Sequence, residues 1–130
     1  DGSYGETAMS RSISIFYTVR LTGRDTDIEV DFSRDLLGGQ LSSMAFCAIP
    51  RLREIGITRL SELGVTDPVY FFDWDGMAEL RREIRLLDDH LAEIDFHPET
   101  QAAWLCNLLY CYHRLVGTAP RESIPVFSIG

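Results

Sequence analysis

The feature that most constrains the fold is an apolar stripe in the second half of the chain. Its members recur at steps of three and four residues: Met77, Leu80, Ile84, Leu87, Leu91 and Ile94. Side chains at that spacing lie on one side of an α-helix, and such a side must be buried. The stripe therefore predicts an amphipathic helix over residues 76–94 that packs against the rest of the protein.

A second helix is predicted from Pro98 to Val116, with Gly117 as its stop. This helix carries two apolar stripes on nearly opposite sides. One contains Ala102, Leu105, Cys106, Leu109 and Val116, and the other contains Trp104, Leu108, Cys111 and Leu115. Both sides must be covered. Two interpretations of the second stripe stay open: the chain's own elements cover it, or a second copy of the protein covers it in a homodimer.

Alternation of apolar and polar residues predicts β-strands elsewhere in the chain. The strands are expected at residues 12–21 and 28–32, joined as a hairpin by a loop at 22–27, and at residues 69–72 and 123–129. Pro125 places the last of these at a sheet edge or makes it a strand start.

The segment between the hairpin and the third strand is harder to interpret. Residues 41–56 are ambiguous because Pro50 either starts a short helix or interrupts one. Thr58 and Gly64 favour a short helix that the threonine caps and the glycine closes.

These elements predict an α+β fold with a small, mainly antiparallel sheet and the helical hairpin packed on one face. Residues 9–130 are expected to form one domain, and the polar residues 1–8 to be an expression remnant or a flexible tail. The helices should contact the sheet through Leu80, Ile84, Leu87, Leu105 and Leu109.

Composition excludes several classes of function. The net charge is −8, and all 12 basic residues are arginine, so chemistry that needs a lysine cannot occur. Nucleic-acid binding needs a basic patch, and a membrane span needs about 20 apolar residues in a row; the sequence has neither pattern. Three cysteines do not make a disulfide framework. We therefore expect a cytoplasmic protein without a cofactor.

The stretch Asp73-Trp74-Asp75-Gly76 resembles the first motif of haloacid-dehalogenase-like phosphatases, in which the first aspartate is the nucleophile. That family also needs a lysine and several further parallel strands. An EF-hand loop would carry its glycine at the sixth position, whereas this one is at the fourth. A helix start in which Asp73 or Asp75 caps free backbone N–H groups explains the stretch with fewer requirements.

Other reactive side chains give no local motif. Cys106, Cys111 and His113 lie on different sides of one helix, so they cannot ligate one metal ion. A second functional hypothesis is a small enzyme or ligand-binding domain with a pocket assembled from scattered residues such as His90, His97, Tyr110 and Arg20.

Acidic residues concentrate in one part of the chain. Residues 67–99 hold ten acids and three arginines, a net charge of −7. Such a surface attracts a basic partner. The predicted contact residues are Trp74, as an aromatic anchor, with Asp75, Glu79, Glu83, Asp88 and Asp89.

The acidic helix, the apolar helix and the closing strand Ile-Pro-Val-Phe-Ser resemble small immunity proteins of bacterial polymorphic toxin systems. The resemblance covers residues 67–130 and is one of layout and charge. It implies a non-catalytic protein-binding module that blocks a basic partner, such as a toxin domain, through an acidic face.

Overall fold

The computed structural model describes residues 10–31 and 36–130. In chain order, the strands and α-helices are β1 (Ser10–Leu21), β2 (Arg24–Glu29), β3 (Leu36–Gly39), α1 (Gln40–Cys47), α2 (Pro50–Glu54), β4 (Val69–Phe72), α3 (Asp73–Asp89), α4 (Pro98–Thr118) and β5 (Ile124–Ile129). Two 3₁₀ helices, Leu60–Gly64 and Leu91–Glu93, precede β4 and follow α3. The ambiguous residues 41–56 therefore contain two short helices. The expectation for residues 1–8 lies outside the described residues.

The sheet is antiparallel, with the strand order β2-β1-β5-β4, and β3 pairs with the beginning of β1. The long strand β1 pairs with β2 and β3 on one side and with β5 on the other. The predicted α+β fold with a small antiparallel sheet is thus confirmed. Pro125 lies at the start of β5, and β4 pairs with β5 from Val126 onward.

The hairpin between β1 and β2 is tighter than the sequence pattern predicts. Thr22 and Gly23 both have positive φ angles, 50° and 78°, which is the combination of a two-residue turn of type I′. Such a turn matches the twist of the flanking strands, so pairing resumes at once between Leu21 and Arg24. The predicted six-residue loop at 22–27 is wrong because most of it belongs to β2.

The inner face of the sheet carries the core. Its strands alternate, and the inward side chains on β1, β4 and β5 are almost completely buried: Ile13, Ile15, Val69, Phe71, Phe127 and Ile129. From α3, the predicted residues Leu80, Ile84 and Leu87 are buried as expected. These side chains and those of α4 form one hydrophobic cluster.

Helix α4 confirms one of its two predicted contact residues, since Leu105 is buried, but most of its buried side chains belong to the second stripe. Trp104, Leu108, Cys111 and Leu115 are buried, whereas Leu109 is only half-buried and Cys106 is exposed. The sheet, α3 and the Phe46 ring, 5.1 Å from the Trp104 ring, cover this stripe within the chain. Its residues are therefore unavailable as the predicted homodimer interface.

Helix α3 is shorter at its C-terminal end than its apolar stripe indicates. It ends at Asp89, and His90 leaves the helical conformation with φ −112° and ψ 12°. The His90 ring contacts the Glu93 carboxylate at 2.6 Å, which accompanies the tighter turn of Leu91–Glu93. Ile94 still reaches the core, since it is 6% exposed. The stripe persists, although the regular helix does not.

The strand-to-helix junction accounts for the Asp-Trp-Asp-Gly stretch. The Asp73 carboxylate accepts a hydrogen bond from the Gly76 N–H at 2.9 Å, which confirms the capping interpretation. Asp73 has a φ of 59°, a conformation that aspartate tolerates better than most residues. A Cβ at Gly76 would lie 3.1 Å from the carbonyl carbon of Phe71, so the helix starts close over the preceding strand. The Asp-Trp-Asp-Gly stretch therefore forms a tight turn between β4 and α3.

No helix in residues 10–31 and 36–130 is both long enough and apolar enough to cross a membrane.

Candidate functional site: the outer face of the sheet

The outer face of the sheet combines exposed aromatic residues with a row of acids. Strand pairing places side chains opposite one another in rows that cross the sheet. Phe16 of β1 lies opposite Glu29 of β2 and Val126 of β5, and Val126 lies opposite Phe72 of β4. This row therefore runs from an acid at one edge to an aromatic ring at the other.

Two further rows flank the first, one with an aromatic residue on β4 and the other with an acid on β2. On one side, Ser14, Ser128 and Tyr70 lie across β1, β5 and β4. On the other side, Asp27, Thr18 and Ile124 lie across β2, β1 and β5. Aromatic and apolar residues therefore occupy the β4 and β5 part of the outer face, and acids occupy its β2 edge.

The apolar part of this face is open to solvent. Tyr70 is 39% exposed, Ile124 is 49% exposed and Phe72 is 54% exposed. The Tyr70 and Phe72 rings stack with centroids 5.4 Å apart and an interplanar angle of 21°. Val126, between Phe16 and Phe72, is only 3% exposed. We call Phe16, Tyr70, Phe72, Ile124 and Val126 the outer-face patch.

The acids of β2 lie next to this patch. Asp25, Asp27 and Glu29 occupy alternate positions, so all three side chains project from the same face, and all three residues are exposed. Asp25 forms an ion pair with Arg20 at 3.3 Å, and Asp27 accepts a hydrogen bond from the Thr18 hydroxyl at 2.7 Å. We call Asp25, Asp27 and Glu29 the β2 acidic row.

The free edge of β4 is partly blocked. The Arg59 guanidinium donates a hydrogen bond to the Tyr70 carbonyl at 2.6 Å and lies 5.3 Å from the centre of the Phe71 ring. A partner strand would have to displace this contact before pairing there. The outer face, rather than this edge, is the accessible part of the sheet.

One of the acids predicted to contact a partner is in the core. Glu83 is 0% exposed, and its two carboxylate oxygens accept hydrogen bonds from the N–H groups of Arg59 and Leu60, both at 2.9 Å. These donors lie at the start of the 3₁₀ helix Leu60–Gly64, where backbone N–H groups have no partner within the helix. Glu83, rather than the predicted Thr58, caps this helix. The prediction that Glu83 is a surface contact is wrong.

The electrostatics of α3 follow from this burial. Loss of hydration raises the pKa of Glu83, although the two backbone hydrogen bonds act against that rise. One turn earlier, the hydrogen bond from Arg82 lowers the pKa of Glu79, which is half-buried. Arg82 also lies 3.7 Å from Glu83. Glu79 and Glu83 are therefore engaged within the chain.

The remaining predicted contact residues do not form one surface. Asp75, Asp88 and Asp89 are exposed. Asp75 and Asp88 are separated by 13 residues of helix, which corresponds to about 20 Å at 1.5 Å per residue. The Trp74 ring is half-buried, and its N–H lies 3.0 Å from the Arg121 carbonyl oxygen and 3.1 Å from that of Ser123. The predicted acidic face is divided between the two ends of α3, and its aromatic anchor has a local structural role.

The residues of the alternative enzyme hypothesis lie in separate parts of the fold. His90 contacts Glu93, His97 caps the start of α4, and Arg20 pairs with Asp25 at the tip of the hairpin. Tyr110 lines a shallow depression on α4 with His113. These four side chains do not converge on one pocket.

The cysteines and metal-binding residue types are also dispersed. Cys47 and Cys111 are buried, and Cys106 is exposed. Burial raises the pKa of the Cys47 thiol to about 11, which disfavours the reactive thiolate. Within residues 10–31 and 36–130, no three His, Cys, Asp or Glu side chains are grouped closely enough to hold a metal ion.

Sequence reasoning missed the outer-face patch, although a signal was present. Val69-Tyr70-Phe71-Phe72 is apolar at every position, whereas a strand with one solvated face normally alternates. In the structure only Val69 and Phe71 face the core, which leaves Tyr70 and Phe72 outside. A short strand that is apolar on both sides indicates that each side is covered, either by the chain itself or by a partner.

In comparisons with known proteins, no family model, no curated protein and no solved structure matches the chain.

Proposed function

We propose that this protein is a non-catalytic protein-binding module that binds a basic partner protein on the outer face of its sheet. The observation that carries the proposal is that the outer-face patch, in which Tyr70, Phe72 and Ile124 are exposed, adjoins the exposed β2 acidic row. Adjoining exposed apolar residues on a soluble domain mark interaction surfaces, and aromatic residues are enriched among those that dominate binding energy.

The acidic row favours a basic partner over a second copy of this chain. Two copies joined through this face would bring like charges together on proteins that each carry a net charge of −8. A basic partner gains instead from attraction at long range, which accelerates encounter. Apolar contact at the patch would then hold the complex together, and charge at the edge would orient it.

An immunity-like role implies the class of protein to which this partner belongs. In this proposal, the partner is a basic toxin domain, and binding covers the surface with which it holds its own substrate. The acidic face is the outer sheet face rather than α3, because Glu83 is buried and Glu79 pairs with Arg82. In this proposal the protein acts by binding alone.

The test is a binding experiment with two pairs of matched variants. Proteins retained from a lysate of the source organism by the immobilised wild type are identified, and their association is measured with each variant. Tyr70→Ser/Phe72→Ser removes both stacked rings of the patch. Its control is Val65→Ser, because Val65 is 81% exposed and lies outside the sheet. We expect the first variant to lose binding by at least about tenfold and the control to retain it.

The second pair locates the acidic contacts. Asp25→Asn/Asp27→Asn/Glu29→Gln removes the β2 acidic row, and Asp75→Asn/Asp88→Asn/Asp89→Asn makes the same charge change on α3. We expect only the first triple variant to slow association and to flatten its dependence on salt. A larger effect of the α3 variant, or equal effects of both, contradicts the proposed surface. If the partner is an enzyme and remains fully active in the complex, the blocking role is wrong.

A further inference from the structure

A groove between α3 and α4 is lined by more basic than acidic side chains, which is unusual for this acidic protein. It has a volume of about 200 Å³. Its walls come from the exposed sides of the two helices and its floor from apolar side chains. The lining residues are Arg81, Ile84, Arg85, Asp88, Leu109, Tyr112 and His113.

Two arginines on one wall lack a counter-ion in the described part of the chain. Arg81 and Arg85 are both exposed and lie one helical turn apart, so their guanidinium groups are neighbours that repel each other. Neither forms an ion pair or a side-chain hydrogen bond within residues 10–31 and 36–130. The adjacent Arg82, by contrast, bonds Glu79 and lies 3.2 Å from the Gly56 carbonyl oxygen. The first two arginines are free to bind an external anion.

Asp88 lies near the same wall but does not neutralise it. It is the one acidic residue among those that line the groove, and no ion pair joins it to either arginine in the described structure. The groove therefore presents two positive charges and one negative charge, before any contribution from His113.

The opposite wall and the floor are suited to an apolar body. The rings of Tyr112 and His113 meet edge to face, with centroids 5.3 Å apart. Ile84 and Tyr112 line the groove with 2% and 9% of their surfaces exposed, and Leu109 is half-buried. A flat apolar group can lie on this floor and contact the Tyr112 ring while its charged end faces α3.

We propose that this groove binds a small organic anion with a carboxylate or phosphate head and an aromatic or otherwise flat apolar body. Arg81 and Arg85 hold the head, since planar guanidinium groups bind carboxylate and phosphate oxygens through paired hydrogen bonds. Leu109 and Tyr112 contact the body. The groove belongs to the helical layer and not to the outer sheet face, so this site is independent of the proposed protein partner.

The experiment is an NMR titration of the full chain at constant ionic strength. The probes are phenyl phosphate, benzoate and inorganic phosphate, which separate the two kinds of head and test the need for an apolar body. Arg81→Gln/Arg85→Gln removes both cations. Arg24→Gln/Arg53→Gln is the matched control, because it makes the same charge change at two exposed arginines on β2 and α2. Each variant is first shown to keep the wild-type circular dichroism spectrum.

We expect saturable binding of at least one aromatic probe, with a dissociation constant in the roughly millimolar range and chemical-shift changes at Leu109, Tyr112 and His113. The Arg81→Gln/Arg85→Gln variant should bind at least about tenfold more weakly, and the control should bind as the wild type does. Phenyl phosphate against benzoate then identifies the preferred head.

Three results would each overturn the proposal. They are no saturation by either aromatic probe, equal weakening in both variants, and inorganic phosphate binding as tightly as phenyl phosphate. A Leu109→Gln variant provides a second check within the groove, since loss of the apolar floor should weaken the aromatic probes and leave the charge unchanged.

Discussion

Two rows of three acids occur in this protein at regular spacing, and they differ in how far they are exposed to solvent. One row lies on α3 at every fourth residue and the other on β2 at every second residue. In α3 the exposure falls along the row, from exposed Asp75 to half-buried Glu79 and buried Glu83. The β2 acidic row stays exposed at all three positions, Asp25, Asp27 and Glu29.

The difference follows from the periods of the two elements. A helix turns about 100° per residue, so four residues overshoot one turn by about 40° and eight residues by about 80°. Residues at that spacing drift around the helix, which carries the third acid from the solvent side to the core side. A strand repeats every two residues without such drift, so its row stays on one face. Regular spacing of like charges therefore indicates a continuous surface in a strand more reliably than in a helix.

The largest expected effect is on the free energy of unfolding, and it should distinguish Glu83, at the end of the helical row, from Glu29, at the end of the β2 acidic row. Glu83→Ala leaves the N–H groups of Arg59 and Leu60 without an acceptor in a buried site, which should lower the free energy of unfolding by about 3 kcal/mol. Glu29→Ala, at an exposed position of the strand, should change it by no more than about 0.5 kcal/mol. Chemical denaturation of both variants measures the two values.

A loss at Glu83 as small as the change at Glu29 would mean that the third acid of the helical row is not a structural residue. Thermal unfolding of the same pair provides an independent measurement.

A smaller effect is expected from protonation of Glu83. Its pKa is raised in the folded protein, so the native state binds the proton more tightly than the unfolded chain does. Acidification through the folded pKa should therefore stabilise the wild type relative to Glu83→Gln, by at most about 1.4 kcal/mol per pH unit. The relative gain should level off below the unfolded glutamate value of about 4.3.

Denaturation of the wild type and of Glu83→Gln across this pH range gives a difference curve in which the unchanged acids cancel. A flat curve, or one that falls on acidification, would show that Glu83 does not carry the expected shift.

The smallest effect concerns the acid at the start of α3, just before the helical row. Asp73→Ala removes the acceptor for the Gly76 N–H and should cost about 1 kcal/mol, whereas Asp73→Asn should cost only a few tenths because asparagine also caps. Asp75→Asn, next to it, should be nearly neutral. An equal loss at Asp73→Asn and Asp73→Ala would indicate that the charge, and not the cap, matters at this position.

Much of the fold could be read from periodicity. The strands at β1, β4 and β5 and the Pro98 start of α4 were predicted with nearly their observed bounds, and the amphipathic character of α3 was also predicted, since each depends on neighbours within a few residues. The errors were of two kinds. The hairpin turn was predicted too long because Thr22 has a positive φ, which is uncommon for threonine and is not expected from the sequence. Helix α3 was predicted too long because an apolar stripe can continue through a 3₁₀ turn.

The candidate site, by contrast, was not predicted, because it depends on which side of each element the core occupies. The two apolar stripes of α4 are similar in sequence, and the choice of Trp104, Leu108, Cys111 and Leu115 as the inner one comes from packing against elements distant in the chain. The same packing turns Glu83 inward to reach backbone groups 23 and 24 residues away. Local chemistry sets the period of an element, and burial of its faces is a property of the whole assembled chain. For this reason the helices and strands could be predicted from the sequence, whereas the outer-face patch and the β2 acidic row could be identified only from the pairing of the strands in the tertiary structure.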